Sequence, residues 1–111
     1  MASPFVRVAV DIKKLRDYCL NDNHPRGRHK ARVFRSRLGI TADDADLLRR
    51  ALLAAARQRI DELRETAVDE YGKRYVFDFS ITTKSGTATI RSSWIVRVGE
   101  DVLRFATCYV L

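Results

Sequence analysis

The chain has 111 residues, 46% hydrophobic and 32% charged, a size and balance that fit one globular domain with its own core. Lys and Arg number 21 against 14 Asp and Glu, and the resulting net charge of +7 favours polyanionic or acidic partners, nucleic acid first. No apolar run approaches the ~20 residues of a membrane helix, the first residues lack a secretory-signal pattern, and Cys19 and Cys108 form no Cys-x-x-Cys pair. The expected setting is therefore cytoplasmic, with no membrane association, no cofactor, and free, packed thiols.

In chain order, residues 5–10 alternate weakly and are rich in Val, as in a short edge strand or an ordered arm. Asp11 then stands where an N-cap belongs, and Ile12, Leu15 and Cys19 fall at helical spacing, predicting a short helix through Leu20. Residues 24–29, HPRGRH, read as a loop: Pro25 turns His24 away from helix and Gly27 permits unusual backbone angles. Ala31, Phe34 and Leu38 predict a second short helix over 30–38 with Gly39 as its stop. Thr41 and Asp44 have the spacing of a capping box, with Asp in place of Glu, and open a long helix along Leu47, Leu48, Ala51, Leu52 and Ala55. A second stripe, Ile60, Leu63, Ala67 and Tyr71, follows Arg57, Gln58 and Arg59, so the long helix bends or ends early there. The helical part as a whole is expected to reach about residue 71. From 73 onward the period becomes two. Tyr75, Phe77, Phe79 and Ile81 mark one face of a strand, and turns at 84–86 and 99–101 separate two more strands, 87–98 and 102–110. The expectation is a single α+β domain, 1–111, with two short helices and one long one packed on one face of a C-terminal antiparallel sheet of three to four strands.

The charge is concentrated. Residues 24–37 carry Arg26, Arg28, Lys30, Arg32, Arg35 and Arg37 with no acid, plus His24 and His29. Arginine dominates, and its forked donors suit phosphate recognition. The long helix mixes both signs, as a solvated face does. Zinc ligation, a Gly-rich nucleotide cradle and a Gly-x-Ser-x-Gly elbow all lack their residues.

One reaction needs only such a basic surface. In RNA cleavage the substrate supplies its own 2′-hydroxyl nucleophile, cations stabilise the phosphorane, and acid and base groups move protons. DNA lacks that hydroxyl and would be bound uncut. His24 and His29 are the side chains that titrate near neutrality. On the strands, Thr107 and Tyr109 share one face of the last, Arg91 and Ser93 one face of the middle, and Ser92 and Trp94 its other face. One register sets Ser92 opposite Thr107; a one-residue slip sets Ser93 opposite Thr107 and Arg91 opposite Tyr109. Trp94 and Cys108 read as core.

The segments DYCLNDNHPRGRHKARVFRSRLG, DEYGKRYVFDF and GTATIRSSWIVRVGEDVLRFATCYV resemble an uncharacterised bacterial domain family found alone and at the C-termini of polymorphic toxins. The resemblance spans nearly the whole chain. It is sharpest at His-Pro-x-Gly-x-x-Lys-Ala-x-x-Phe, here His24, Pro25, Gly27, Lys30, Ala31 and Phe34, with Trp94, Thr107 and Tyr109. That family in turn looks like the small RNase toxins that include barnase, EndoU, colicin D and RelE-like enzymes. The resemblance implies helices on an antiparallel sheet whose open face cuts RNA without metal, an acid or base role for His24, phosphate binding by Lys30, and positioning by Thr107 and Tyr109. It also implies a dedicated immunity protein or antitoxin, small and acidic. A start at Met1 fits an intracellular toxin of a toxin–antitoxin pair. The expected site thus has His24, Lys30, Ser92, Thr107 and Tyr109 as catalytic residues and Arg26, Arg28, His29, Arg32 and Arg91 as RNA-binding ones, with no metal. The competing expectation is a non-catalytic module whose 24–37 segment binds nucleic acid or an acidic protein.

Overall fold

The structure, a computed structural model, describes residues 7–111. A short strand β1 (Arg7–Ala9) precedes one helical turn α1 (Ile12–Lys14), which widens into a π-helical turn (Leu15–Cys19). Helices α2 (Arg28–Leu38) and α3 (Ala45–Gln58) follow, then strands β2 (Arg64–Asp69), β3 (Gly72–Thr83), β4 (Gly86–Arg97) and β5 (Val102–Val110). The sheet has five strands in the order β1-β5-β4-β3-β2, with β1 parallel to β5 and all other neighbours antiparallel. The α+β class and the helices-first order are as expected. Of the expected N-terminal strand over 5–10, β1 is the part that joins the sheet, while Phe5 and Val6 lie outside the described residues.

Local chemistry sets the helix limits. Asp11 accepts from Lys13 N at 3.0 Å and caps α1. The next turn closes by a longer loop, with Leu20 N donating to Leu15 O at 2.8 Å, the i to i−5 pattern that defines a π-helical turn. Gly39 ends α2 in the left-handed region at φ 66°, and Gly39 N and Ile40 N donate to Arg35 O and Phe34 O. The Thr41–Asp44 capping box forms, with Thr41 N donating to an Asp44 oxygen at 2.9 Å, and opens a 3-10 turn (Ala42–Asp44) that leads into α3.

The long helix ends early, at Gln58, as the break at Arg57–Arg59 suggested. The second apolar stripe, however, is not helical: after a 3-10 turn (Ile60–Glu62) the chain runs into β2, which pairs with β3, so helix ends near residue 62 rather than 71 and the sheet has five strands rather than three to four. Every residue of β2 is exposed, so no buried face imposed a period of two on its sequence.

The core lies between the helices and one face of the sheet. Ala31, Phe34 and Leu38 of α2 and Leu48, Leu52 and Ala56 of α3 are buried with Phe77, Phe79, Ile90, Phe105 and Cys108. Trp94 is 1% exposed, stacked on Phe77 with ring centroids 5.9 Å apart and edge-on to Phe105 at 5.5 Å. The register between β4 and β5 places Ser93 opposite Thr107 and Arg91 opposite Tyr109, the second of the two alternatives. A bulge between Ser93 and Trp94 on β4, facing the extra residue Ala106 on β5, produces that offset.

Candidate functional site: a lysine cradled by hydroxyls at the edge of the sheet

Strand β1 pairs with β5 from Val102 to Arg104, and among the described residues the second half of β5 has no strand neighbour on that side. The helical segments cover it instead, as an open edge requires. Lys14 Nζ donates to Phe105 O at 3.1 Å, and the π-helical turn brings Cys19 Sγ to 3.6 Å from Thr107 Oγ1. Beside these, the first turns of α2 carry Lys30 to the same place. Its Nζ donates to Thr107 Oγ1 at 3.3 Å and to Tyr18 Oη at 3.4 Å, and it lies 5.0 Å and 5.8 Å from the ring centroids of Tyr18 and Tyr109.

Lys30 is half-buried and has no carboxylate partner among the described residues. An ammonium held by two hydroxyl oxygens and two ring faces is oriented without being neutralised by a carboxylate, which is the electrostatic requirement of an anion site. Its position in the first turn of α2 adds the positive end of the helix dipole. Arg26, Arg28, Arg32 and Arg37 are likewise exposed and free of ion pairs among the described residues, whereas Arg35 is bound to Asp22 at 2.7 Å. The basic segment therefore keeps most of its charge available.

His24 reaches this group through Tyr18, against whose ring it stands edge-on at 4.8 Å. Its Nδ1 accepts from Arg26 N and Gly27 N, each at 3.0 Å, and so serves as the cap of the turn that opens α2. Two donors on Nδ1 place the ring proton on Nε2, and His24 presents a donor rather than a base. Gly27 has an ordinary φ, so its requirement is space: a Cβ there would collide with the Tyr18 carbonyl oxygen. That close approach seats the start of α2 on the π-helical turn.

Ser92 does not belong to the site. It is fully buried on the core face, donates to Phe77 O at 3.0 Å and accepts from Trp94 Nε1 at 2.9 Å, so its hydroxyl satisfies the indole and a strand carbonyl. Ser93, opposite Thr107, takes the place expected for it. Arg91 is opposite Tyr109, and its Nε and Nη2 donate to the two carboxylate oxygens of Asp78 at 2.9 and 3.0 Å. This bidentate pair raises the Arg91 pKa and lowers that of Asp78. Arg91 is thus the ion-pair partner of Asp78 and not the free phosphate ligand expected.

Two residues escaped the sequence reading as site members. Tyr18 forms the floor under Lys30, and the widened turn that aims it has no apolar spacing of its own to announce it. Cys19 is a buried free thiol as expected, yet it shares Thr107 Oγ1 with Lys30. A hydrogen bond from the Cys108 thiol, aided by Thr107 and by the Lys30 charge, lowers its pKa to about 6, while the same bond and burial push Cys108 up.

The chain belongs to the family described as a domain of unknown function, DUF6883, whose model matches residues 3–111. No protein of curated function matches it. Among solved structures it is similar to a chain of the contact-dependent growth inhibition toxin–immunity protein complex from Klebsiella pneumoniae 342, with a TM-score of 0.68 and 18% identity over 92% of this chain and 98% of that one. At that identity the likeness is one of fold.

Proposed function

We propose that this domain is an RNA-cleaving toxin, an endoribonuclease that works by 2′-hydroxyl attack on the adjacent phosphate and is held in check by a small acidic immunity protein or antitoxin. The observation that carries the reading is Lys30: a cation without a carboxylate partner among the described residues, held by Thr107 and Tyr18 at the edge of the sheet, in a segment whose Arg26, Arg28, Arg32 and Arg37 are also free of ion pairs among those residues. A likeness of fold to a chain from a toxin–immunity complex supports the toxin setting.

In this reading the scissile phosphate docks on Lys30, and the first turn of α2 adds its dipole. The 2′-oxygen attacks phosphorus while its proton passes to solvent. Negative charge grows on the non-bridging oxygens, where the ammonium and the Tyr18 and Thr107 hydroxyls are already oriented. The 5′-oxygen leaves and takes a proton from the Lys30 ammonium, giving a 2′,3′-cyclic phosphate and a 5′-hydroxyl. His24 contributes a hydrogen bond from Nε2–H, since its backbone contacts exclude a base role. Arg26, just before α2, and Arg28, His29 and Arg32, within it, are exposed and bind the RNA around the scissile phosphate. The same exposed cations attract an acidic immunity protein, which would inhibit by covering Lys30.

The test compares an RNA with the DNA of the same sequence. Cleavage of the RNA alone, at ends carrying 2′,3′-cyclic phosphate, is expected, with the DNA bound but intact. Cutting of both would exclude 2′-hydroxyl attack.

A further inference from the structure

Next to Lys30 lies a shallow, open cleft of about 300 Å³ lined by His29, Lys30, Val33, Tyr109 and Val110. Its walls are nearly all apolar atoms, and among the described residues Lys30 supplies its positive charge. His29 and Val33 stand one helical turn apart on α2 and form one wall; Tyr109 and Val110 at the end of β5 form the other. Val33 is 37% exposed, a large aliphatic left in solvent on an otherwise charged helix surface. Arg91 stands opposite Tyr109 on the neighbouring strand, and the Tyr109 ring lies 5.8 Å from Lys30 Nζ.

We infer that this cleft holds one nucleobase, that of the nucleotide whose phosphate sits on Lys30. The inference rests on the phosphate reading above and adds its neighbour. The volume is at the lower end for ligand clefts, which run about 300–1,000 Å³, and so suits a single base rather than a peptide or a larger cofactor. A tyrosine ring and an imidazole offer stacking surfaces, and the aliphatic side chains complete a slot whose polar end carries the charge a nucleotide needs. An apolar acyl group would find no use for Lys30, and a free anion no use for Tyr109 and Val33. Because the walls offer few hydrogen-bonding groups, the slot accepts purines and pyrimidines by stacking, with purines held more tightly.

The experiment measures binding of inorganic phosphate, ribose 5-phosphate and adenosine 5′-monophosphate to the purified chain by calorimetry or by chemical-shift perturbation, independent of any cleavage. Adenosine monophosphate is expected to bind about tenfold or more tightly than ribose 5-phosphate, the range of base–aromatic stacking. Val33→Trp, which fills the cleft from an exposed position, should bring that ratio near one and retain ribose 5-phosphate binding. Tyr109→Leu should lower the same ratio, so a folding defect in either variant leaves the other to decide. Equal affinity of the intact protein for the two sugar phosphates would overturn the base slot and leave the phosphate site standing. Absence of any binding that depends on Lys30 would overturn both.

Discussion

Lys30 Nζ lies 3.3 Å from Thr107 Oγ1, a contact that joins the first turns of α2 to the edge of β5 across 77 positions of sequence. The same hydroxyl meets Cys19 Sγ, so one threonine ties helix, π-helical turn and strand together. The site is assembled by the fold rather than carried on one loop.

His24 is expected to act on stability through Nδ1 and on substrate through Nε2, and two substitutions separate the roles. His24→Ala removes the acceptor for Arg26 N and Gly27 N and should cost roughly 1–2 kcal/mol, as loss of a helix cap does. His24→Asn restores an acceptor near the Nδ1 position and should recover most of that loss in a denaturant titration. RNA binding that stays weak in the Asn variant would locate the functional contribution at Nε2–H; full binding would confine His24 to capping.

Ser92 and Ser93 should behave oppositely. Ser92→Ala leaves Trp94 Nε1 buried without an acceptor, at a cost of about 1–3 kcal/mol. Its effect on cleavage should not exceed what the loss of folded protein explains. Ser93→Ala, opposite Thr107 and half-buried, should change stability little and alter cleavage. A catalytic defect in folded Ser92→Ala protein would contradict the register on which the site is drawn.

Much of this architecture is legible in the residues. Asp11, Gly39 and the Thr41–Asp44 box mark helix ends because caps are local chemistry, and Phe77, Phe79 and Trp94 mark the core face because burial imposes a period of two. The exchange of Ser93 for Ser92 opposite Thr107 is not legible, because the β4–β5 register turns on a bulge at Ala106, a residue with no turn chemistry to betray it. Strand β2 is hidden behind a helical pattern, because Ile60, Leu63, Ala67 and Tyr71 fall at helical spacing in a segment where β2 itself has no buried face. Lys30 was legible as part of a basic run, but that Arg35 and Arg91 would be taken by Asp22 and Asp78 depends on contacts between distant segments.

Gly27→Ala tests the seat of α2. Its φ of −87° suits alanine, so any cost is steric and arises at the Tyr18 carbonyl. A loss of about 1–3 kcal/mol is expected, as for overpacking. RNA affinity should fall further than stability accounts for, because the shift moves Lys30 away from Tyr18. A neutral substitution in both measurements would show that the two segments are not held in register by this contact.

Cys19 supplies a dependence on pH. Its pKa is depressed to about 6 from an ordinary 9.0, so its ionisation stabilises the fold increasingly as pH rises from about 6 toward 9, and that contribution is lost as pH falls through 6. Cys108, shifted upward, acts in the opposite sense only as pH rises above its ordinary value of 9.0. The difference in melting temperature between the unaltered chain and Cys19→Ser should therefore widen from pH 6 to pH 8.5. A difference that is flat across that window would show that Cys19 stays a neutral core thiol.

The most direct measurement is cleavage of bulk tRNA and total RNA by the purified chain beside Lys30→Ala prepared identically, with melting curves to establish that both are folded. Defined fragments ending in 2′,3′-cyclic phosphate, reduced about 10²–10³-fold in the variant, as when one donor to a developing charge is removed, are the expected result. RNA left intact at high protein concentration, with binding that weakens steeply as salt rises, would contradict it and make the domain a non-catalytic nucleic-acid binder.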